Sequence, residues 1–272
     1  MDDSGLIIDT TPEPRRVPLS HSWTWIRDAL KLYKRHIGRW MLISVSVMAV
    51  LLTLSAIPYL GIISPIIMPL LLGGAVWCAH LQVTQDLPPD FPNLLIGLRK
   101  HTRSLLGVGL LYAIGAMLIM MAIMAVVVAL LPGHDASALQ SMQKAGELPD
   151  LGGNGFWIAL LFVLGLMLIN SIYFFAPPLV IMRDMGTMGA MKTSYLAFWR
   201  NWLALLLSGL ILVVFIMVAS MILTIPTHLL ASINPNLSML PSLVLLLAVM
   251  PLTFLLNYTC YADVFSPVTA EG

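Results

Sequence analysis

The feature that most constrains this chain is a series of six apolar segments, each long enough to cross a lipid bilayer as a helix. A spanning helix needs about 20 mostly apolar residues, and such segments lie at 40–58, 62–82, 104–131, 155–182, 202–226 and 239–261. Only 10% of the residues are charged, whereas soluble domains carry about 25%. So little polar surface cannot cover a water-facing globule, and the sequence therefore predicts an all-α membrane protein.

The Lys and Arg residues indicate how these segments are oriented. Thirteen of the fourteen lie before the first segment, between the second and third, or between the fourth and fifth, whereas Lys144 lies alone on the other side. Cytoplasmic loops of membrane proteins carry the excess of basic residues. We therefore expect six spans in three hairpins, with the N-terminus and the C-terminus both in the cytoplasm.

Each hairpin is preceded by a segment whose apolar residues recur at helical spacing. In the first segment the recurring residues are Trp23, Ile26, Leu30, Tyr33, Ile37 and Trp40, and basic residues occupy the opposite face. This pattern is typical of an amphipathic helix at a membrane interface, and similar patterns occur within 91–105 and 191–202. We expect the basic side chains beside these patterns to contact anionic lipid headgroups: Lys31, Lys34, Arg35, Arg99, Lys100, Arg103, Lys192 and Arg200.

The same order of helix and hairpin predicts an internal repeat, with units of about 21–87, 88–185 and 186–263. Local features agree, since prolines close the outgoing spans at Pro58, Pro132 and Pro226, and aspartates follow or close the returning spans at Asp86, Asp184 and Asp263. The alternative is that any hairpins with basic flanks resemble one another for reasons of topology alone. In both cases residues 21–263 form one membrane domain, between a disordered tail at 1–20 and a second tail at 264–272.

Prolines and polar residues inside the apolar segments predict local irregularities. We expect kinks near Pro178 and Pro251, because proline frees a backbone carbonyl in a spanning helix. A short helix is predicted at 137–147, in the loop between the third and fourth spans. The polar residues in the spans are Asn170, Asn257 and His80. We interpret them as hydrogen-bonding partners between helices; the alternative is a polar binding site in the cytoplasmic third of the membrane.

The sequence contains no pattern that indicates catalysis. Lys, Arg, Asp and Glu are absent from the middle of the apolar segments, where such residues mark ion pathways and proton relays. The six His residues lack the spacing of metal ligands, and no Gly-rich phosphate loop or nucleophile elbow is present. We therefore predict no enzymatic activity, no catalytic, cofactor or metal site, no cofactor and no nucleic-acid partner.

One stretch of the sequence carries a resemblance to a family. It runs from Phe175-Ala176-Pro177-Pro178-Leu179 through Ala190-Met191-Lys192 and on to Trp199-Arg200-Asn201-Trp202. In this stretch the chain resembles a family of uncharacterised proteobacterial inner-membrane proteins, in which an "A-M-K-x-S" helix ends in Arg-Asn-Trp. More distantly, it is similar to the membrane domains attached to some glycerophosphodiester phosphodiesterases. The resemblance implies a multi-pass protein of the bacterial inner membrane and implies no activity.

Two functions remain open at the level of the sequence. The first is a non-catalytic scaffold or lipid-associated membrane factor, with a protein partner or a second copy of the chain as further candidates for binding. The second is a transporter or channel for a small or lipid-like substrate, which the repeat and the proline-broken spans favour. An open polar cavity lined by Asn170 and Asn257 would support the second function, and a closed bundle would count against it.

Overall fold

A computed structural model describes residues 13–57, 60–130 and 155–266. Every regular element within these ranges is helical. The elements, in order, are α1 (His21–Arg35), α2 (Ile37–Ala56), a 3₁₀ turn (Leu60–Ile63), α3 (Ser64–Gln85), α4 (Phe91–Leu94), α5 (Ile96–Lys100), α6 (Thr102–Leu130), α7 (Gly155–Tyr173), α8 (Ala176–Arg183), α9 (Thr187–Arg200), α10 (Trp202–Ile233), a second 3₁₀ turn (Pro235–Met239) and α11 (Leu240–Val264).

Six helical stretches are long and apolar enough to cross a membrane, as the sequence predicts. They are Ile37–Ala56, Ser64–Gln85, Thr102–Ala129, Gly155–Arg183, Trp202–Ile233 and Pro235–Val264. Their outward faces are apolar and uncovered; for example, Met221 is 79% exposed and Ile225 is 70% exposed. A continuous apolar surface of this kind is covered by lipid in a multi-pass membrane protein.

Helix α3 lies at the centre of the bundle. Its spanning segment is 67% buried, whereas the other five segments are only 6–28% buried. It packs against α6, α8 and α11 and against the short helices α4 and α5. Glycines permit the closest approaches, because a Cβ on Gly74 would lie 1.7 Å from the carbonyl oxygen of Leu94, and one on Gly109 would lie 2.3 Å from that of Ile66. At these two positions a side chain would keep the neighbouring backbone from approaching so closely.

The fourth span is broken where its prolines predict a kink. Helix α7 ends at Tyr173 and α8 begins at Ala176. Because Pro178 has no N–H, the carbonyl of Phe174 has no partner four residues on. The side-chain amide of Asn257 donates to that carbonyl instead, at 2.7 Å. The break is thus stabilised by a polar group from α11, which agrees with the interpretation of Asn257 as a partner between helices.

A serine from α9 completes the same break. The N–H of Phe175 donates to Ser194 Oγ at 2.9 Å, and that hydroxyl donates to the carbonyl of Ser171 at 3.0 Å. In an unbroken helix, the N–H of residue 175 would bond directly to the carbonyl of residue 171. The inserted hydroxyl therefore connects the N–H of Phe175 to the carbonyl of Ser171 across the break and leaves neither group unpaired.

Several predicted boundaries differ from the structure. The prediction that Pro226 ends the fifth span is wrong, because α10 continues through it to Ile233; one missing hydrogen bond does not end a helix whose apolar run continues. Pro251 lies inside α11, as the sixth predicted segment has it, and the kink expected there stays a prediction. The stripe predicted across 91–105 is divided among α4, α5 and the start of α6. Pro58, Pro132, Lys144 and the helix predicted at 137–147 lie outside the described residues.

The N-terminal tail predicted to be disordered over residues 1–20 is ordered in its second part. The N–H of Arg15 donates to the carbonyl of Val264 at 3.0 Å, and the N–H of Val17 donates to Asn201 Oδ1 at 2.9 Å. Asn201 also donates to the carbonyl of Arg15 at 2.9 Å. The prediction is wrong for residues 13–20, because partners remote in sequence satisfy this short polar segment. Residues 1–12 and 267–272 lie outside the described part of the chain.

In three places, a single residue with similar backbone angles separates a short helix from the span that follows. His36, His101 and Asn201 each separate a short helix from a long one, with φ between −141° and −125° and ψ between 17° and 51°. The carbonyl of each accepts the N–H of the residue four positions on, which is buried in every case: Trp40, Leu105 and Leu205. The recurrence is compatible with the predicted repeat, which stays a prediction.

Candidate lipid-contact site

The eight cations predicted to contact headgroups are all exposed in the structure. Seven of them lie in the last turns of α1, in α5, in the first turn of α6 and at the end of α9, where long helices begin, whereas Lys192 lies in the middle of α9. Lys31 Nζ lies 3.0 Å from a carboxylate oxygen of Asp28, and Arg35 lies 3.7 Å from Asp86. Within the described ranges, the other six have no carboxylate within 4 Å. The available positive charge is therefore concentrated at the joints between helices.

Helix α1 has two apolar faces. Trp25, Ala29 and Leu32 are buried against the bundle, whereas Trp23 is 52% exposed and Ile37 is 50% exposed. The predicted stripe from Trp23 to Trp40 thus has both buried and exposed members, and its location at a membrane interface stays a prediction. The sequence gives two overlapping apolar faces at helical spacing, and only packing determines which one turns toward the core.

Hydrogen bonds and an ion pair to Asp263 join the first turns of α1 to the end of α11. One carboxylate oxygen, Oδ1, is paired with the guanidinium of Arg15. The other, Oδ2, accepts from Trp25 Nε1 at 2.7 Å and lies 2.6 Å from His21 Nδ1. Thr259, one turn earlier in α11, donates to the carbonyl of Trp25 at 3.1 Å. We call Asp263 with Arg15, His21 and Trp25 the Asp263 cluster. Only an aspartate at the end of a span pointed to this cluster in the sequence.

Hydrogen bonds to a buried glutamine join the last turns of α1 to α3. Gln82 is fully buried, accepts from Trp40 Nε1 at 3.1 Å and donates to the carbonyl of Leu32 at 2.8 Å. A third bond joins Ser22 Oγ to the carbonyl of Ala204 in α10, at 2.8 Å. Helix α1 is thus held at both ends against three long helices.

Between these fastenings, α1, α10 and α11 enclose a groove of about 320 Å³. All the residues that line it are apolar except Tyr33 and Lys34, which belong to the last turn of α1. Tyr33 Oη lies 3.2 Å from the sulfur of Met41, and burial raises the pKa of its phenol, so the side chain is neutral. We call this cavity the α1 groove. Helix α1 contributes Ile26, Ala29, Leu30, Tyr33 and Lys34 to its lining.

A second cavity lies on the other side of α1 and is polar. It has a volume of about 520 Å³, and its lining includes His21, Asp28, Lys31, Arg35 and Asp263. Acidic and basic groups alternate along it and already pair with one another, as between Lys31 and Asp28. The arrangement is a solvated, charged cleft beside the Asp263 cluster.

The three polar residues predicted in the spans do not converge on one site. Asn170 donates to the carbonyl of Leu166 in its own helix at 2.8 Å, whereas Asn257 reaches Phe174 of another segment. The ring of His80 lies 5.6 Å from that of Trp77 and 6.3 Å from that of Tyr258. None of the three lines the α1 groove or the polar cavity.

The comparisons with known proteins give a family without an activity. Residues 94–267, well over half of the chain, match the model of a domain of unknown function, DUF7847. This range includes the stretch from Phe175 to Trp202 that carries the resemblance, and it begins after α1, α2 and α3. The chain matches no curated protein and no solved structure. The predicted membership of an uncharacterised family is confirmed, whereas the likeness to phosphodiesterase membrane domains stays a prediction. The chain belongs to the family described as domain of unknown function DUF7847.

Proposed function

We propose that this protein is a non-catalytic, lipid-associated factor of the bacterial inner membrane. The observation that carries the proposal is the set of six exposed cations that have no carboxylate within 4 Å in the described residues, five of them located where short helices meet spans. Anionic headgroups supply the missing negative charge, and each Lys or Arg near such a surface contributes about 1 kcal/mol of attraction.

In this proposal α1, α5 and α9 lie at the cytoplasmic interface and the six spans form three hairpins below them. The distribution of Lys and Arg supports this orientation through the positive-inside rule. The apolar sides of α1 and α9 support it as well, because Ala29 and Ala197 are buried while Lys34 and Arg200 are exposed. A helix with one buried side and one basic side suits the headgroup region.

A transporter or channel is the second candidate function. The break between α7 and α8 favours it, since transporters often bind substrate at interrupted helices. In this protein, however, Asn257 and Ser194 occupy hydrogen-bonding groups that the break would offer to a substrate. We therefore favour the lipid-associated function.

The proposal is tested with the full chain in nanodiscs that contain either phosphatidylglycerol or phosphatidylcholine with the same acyl chains. We expect phosphatidylglycerol to raise the thermal unfolding temperature of the wild type relative to phosphatidylcholine. Replacement of Arg99, Lys100 and Arg103 by Gln should remove a large part of this difference, and Lys144→Gln, on the predicted opposite side, should preserve it. An equal difference in the wild type and the triple variant would contradict the proposal.

A further inference from the structure

We infer that the α1 groove binds one acyl chain of an anionic phospholipid, whose phosphate contacts Lys34. The inference rests on the proposed lipid association and names its ligand and its place. Three observations support it: the lining of the groove, its length and the position of its one cation.

The lining is suited to hydrocarbon and to little else. Phe215 and Ala219 of α10, Ala248 and Leu252 of α11 and Leu30 of α1 are among the residues that line it. Polar groups are absent from this lining above Tyr33 and Lys34. An apolar chain that enters displaces no hydrogen-bonded water and leaves no buried polar group unpaired.

The length of the groove matches one leaflet of a bilayer. Its lining on α11 runs from Leu245 to Leu256, and eleven residues at a rise of 1.5 Å give about 16 Å. The hydrocarbon core of a bilayer is about 30 Å thick, so one leaflet is about 15 Å. The groove therefore accepts a chain from the interface to the middle of the membrane.

The cation lies at the end of the groove where a headgroup would lie. Lys34 is in the last turn of α1, it is exposed, and no carboxylate in the described residues lies within 4 Å of its ammonium group. Arg27 stands two helical turns earlier on the same side of α1. A lysine whose stem lines an apolar groove and whose ammonium faces water is placed to bind a lipid phosphate.

Photochemical labelling tests the inference. The full chain is placed in bilayers with a trace of phosphatidylglycerol or phosphatidylcholine that carries a diazirine in the middle of one chain. We expect the phosphatidylglycerol probe to label 212–219 and 245–256 several-fold more than the outer face of α6. Ala219→Trp or Ala248→Trp should fill the groove and reduce this labelling several-fold, whereas Ala125→Trp on α6 should not.

The headgroup is tested with the same probes. Lys34→Gln should lower labelling by the phosphatidylglycerol probe to the level of the phosphatidylcholine probe, and Lys144→Gln, on the predicted opposite side, should not. Uniform labelling of all six spans, or equal labelling by both probes, would overturn the inference. If phosphatidylglycerol still stabilises the protein in that case, the groove assignment alone is wrong; if it does not, the proposed function is wrong as well. Size-exclusion profiles identify any variant that fails to fold, and the two tryptophan variants serve as replacements for each other.

Discussion

At the scale of single residues, this bundle depends on polar side chains that take over the hydrogen bonds of the backbone. Ser194 bridges a broken helix, Asn257 binds the carbonyl that Pro178 leaves unpaired, and Asn201 holds the segment around Arg15. In an apolar surrounding, an unpaired backbone group costs several kcal/mol. These residues therefore matter because of the specific groups that they satisfy.

The serine at the break gives the first prediction. Ser194→Ala removes the acceptor of the Phe175 N–H and the donor to the Ser171 carbonyl, which are both buried. We expect a loss of about 1–3 kcal/mol in the free energy of unfolding, measured by tryptophan fluorescence during thermal unfolding in detergent. The matched control is Ser46→Ala, whose exposed hydroxyl bonds only to its own helix; equal effects of the two substitutions would contradict this account.

The Asp263 cluster gives the second prediction. Asp263→Asn removes the charge that Arg15, His21 and Trp25 bind, so we expect about 1–3 kcal/mol of destabilisation. Limited trypsin digestion of the detergent-solubilised protein should also cleave faster after Arg15 and Arg16. Asp28→Asn is the control, because exposed pairs such as Asp28 with Lys31 contribute about 0–1 kcal/mol. Unchanged cleavage in Asp263→Asn would show that the cluster does not hold this segment.

At the scale of elements, α1 contributes residues to two different surfaces of the bundle. Its face with Trp25 and Leu32 is part of the core, and its face with Leu30 and Tyr33 lines the α1 groove. Helical spacing identifies the apolar residues, but it does not indicate which of the two faces is buried in the core, because both faces have that spacing. Contacts of α1 with α10 and α11 decide the rotation.

Close approach of the central helix to its neighbour gives the third prediction. In Gly74→Ala the new methyl group would meet the Leu94 carbonyl at 1.7 Å, so backbone must shift. We expect a loss of about 1–3 kcal/mol or more in the same unfolding assay. Gly209→Ala in α10 is the control, since nothing lies within 4 Å of its Cβ position; alanine there should be neutral or stabilising by up to about 1 kcal/mol.

At the scale of the whole molecule, the spans bury little of their surface against one another except around α3. The bundle is therefore surrounded by its own apolar side chains, such as Met221 and Ile225. In water this surface would drive aggregation, whereas its exposure to lipid carries no hydrophobic free-energy penalty. Because so much of the protein surface contacts lipid, we expect lipid composition to affect the stability of the folded state directly.

Topology gives the fourth prediction. Single cysteines at Ser4, Glu147 and Thr269, in a chain whose Cys78 and Cys260 are replaced by Ala, should report two inside positions and one outside position. The reason is the location of thirteen of the fourteen Lys and Arg residues on one side. Labelling of intact cells with a membrane-impermeant maleimide measures this; labelling of Ser4→Cys or Thr269→Cys from outside would contradict the orientation.

The sequence by itself determined the six spans and the family, because length, apolarity and short motifs are local properties that survive in any packing. It also located the exposed cations and the break at Pro177 and Pro178. Only the tertiary structure decided that Asp263 meets Arg15, which is 248 positions away, that α3 is central, and which face of α1 lines a groove. These features join residues remote in sequence through directional hydrogen bonds and close contacts, and periodicity carries no information about such partners.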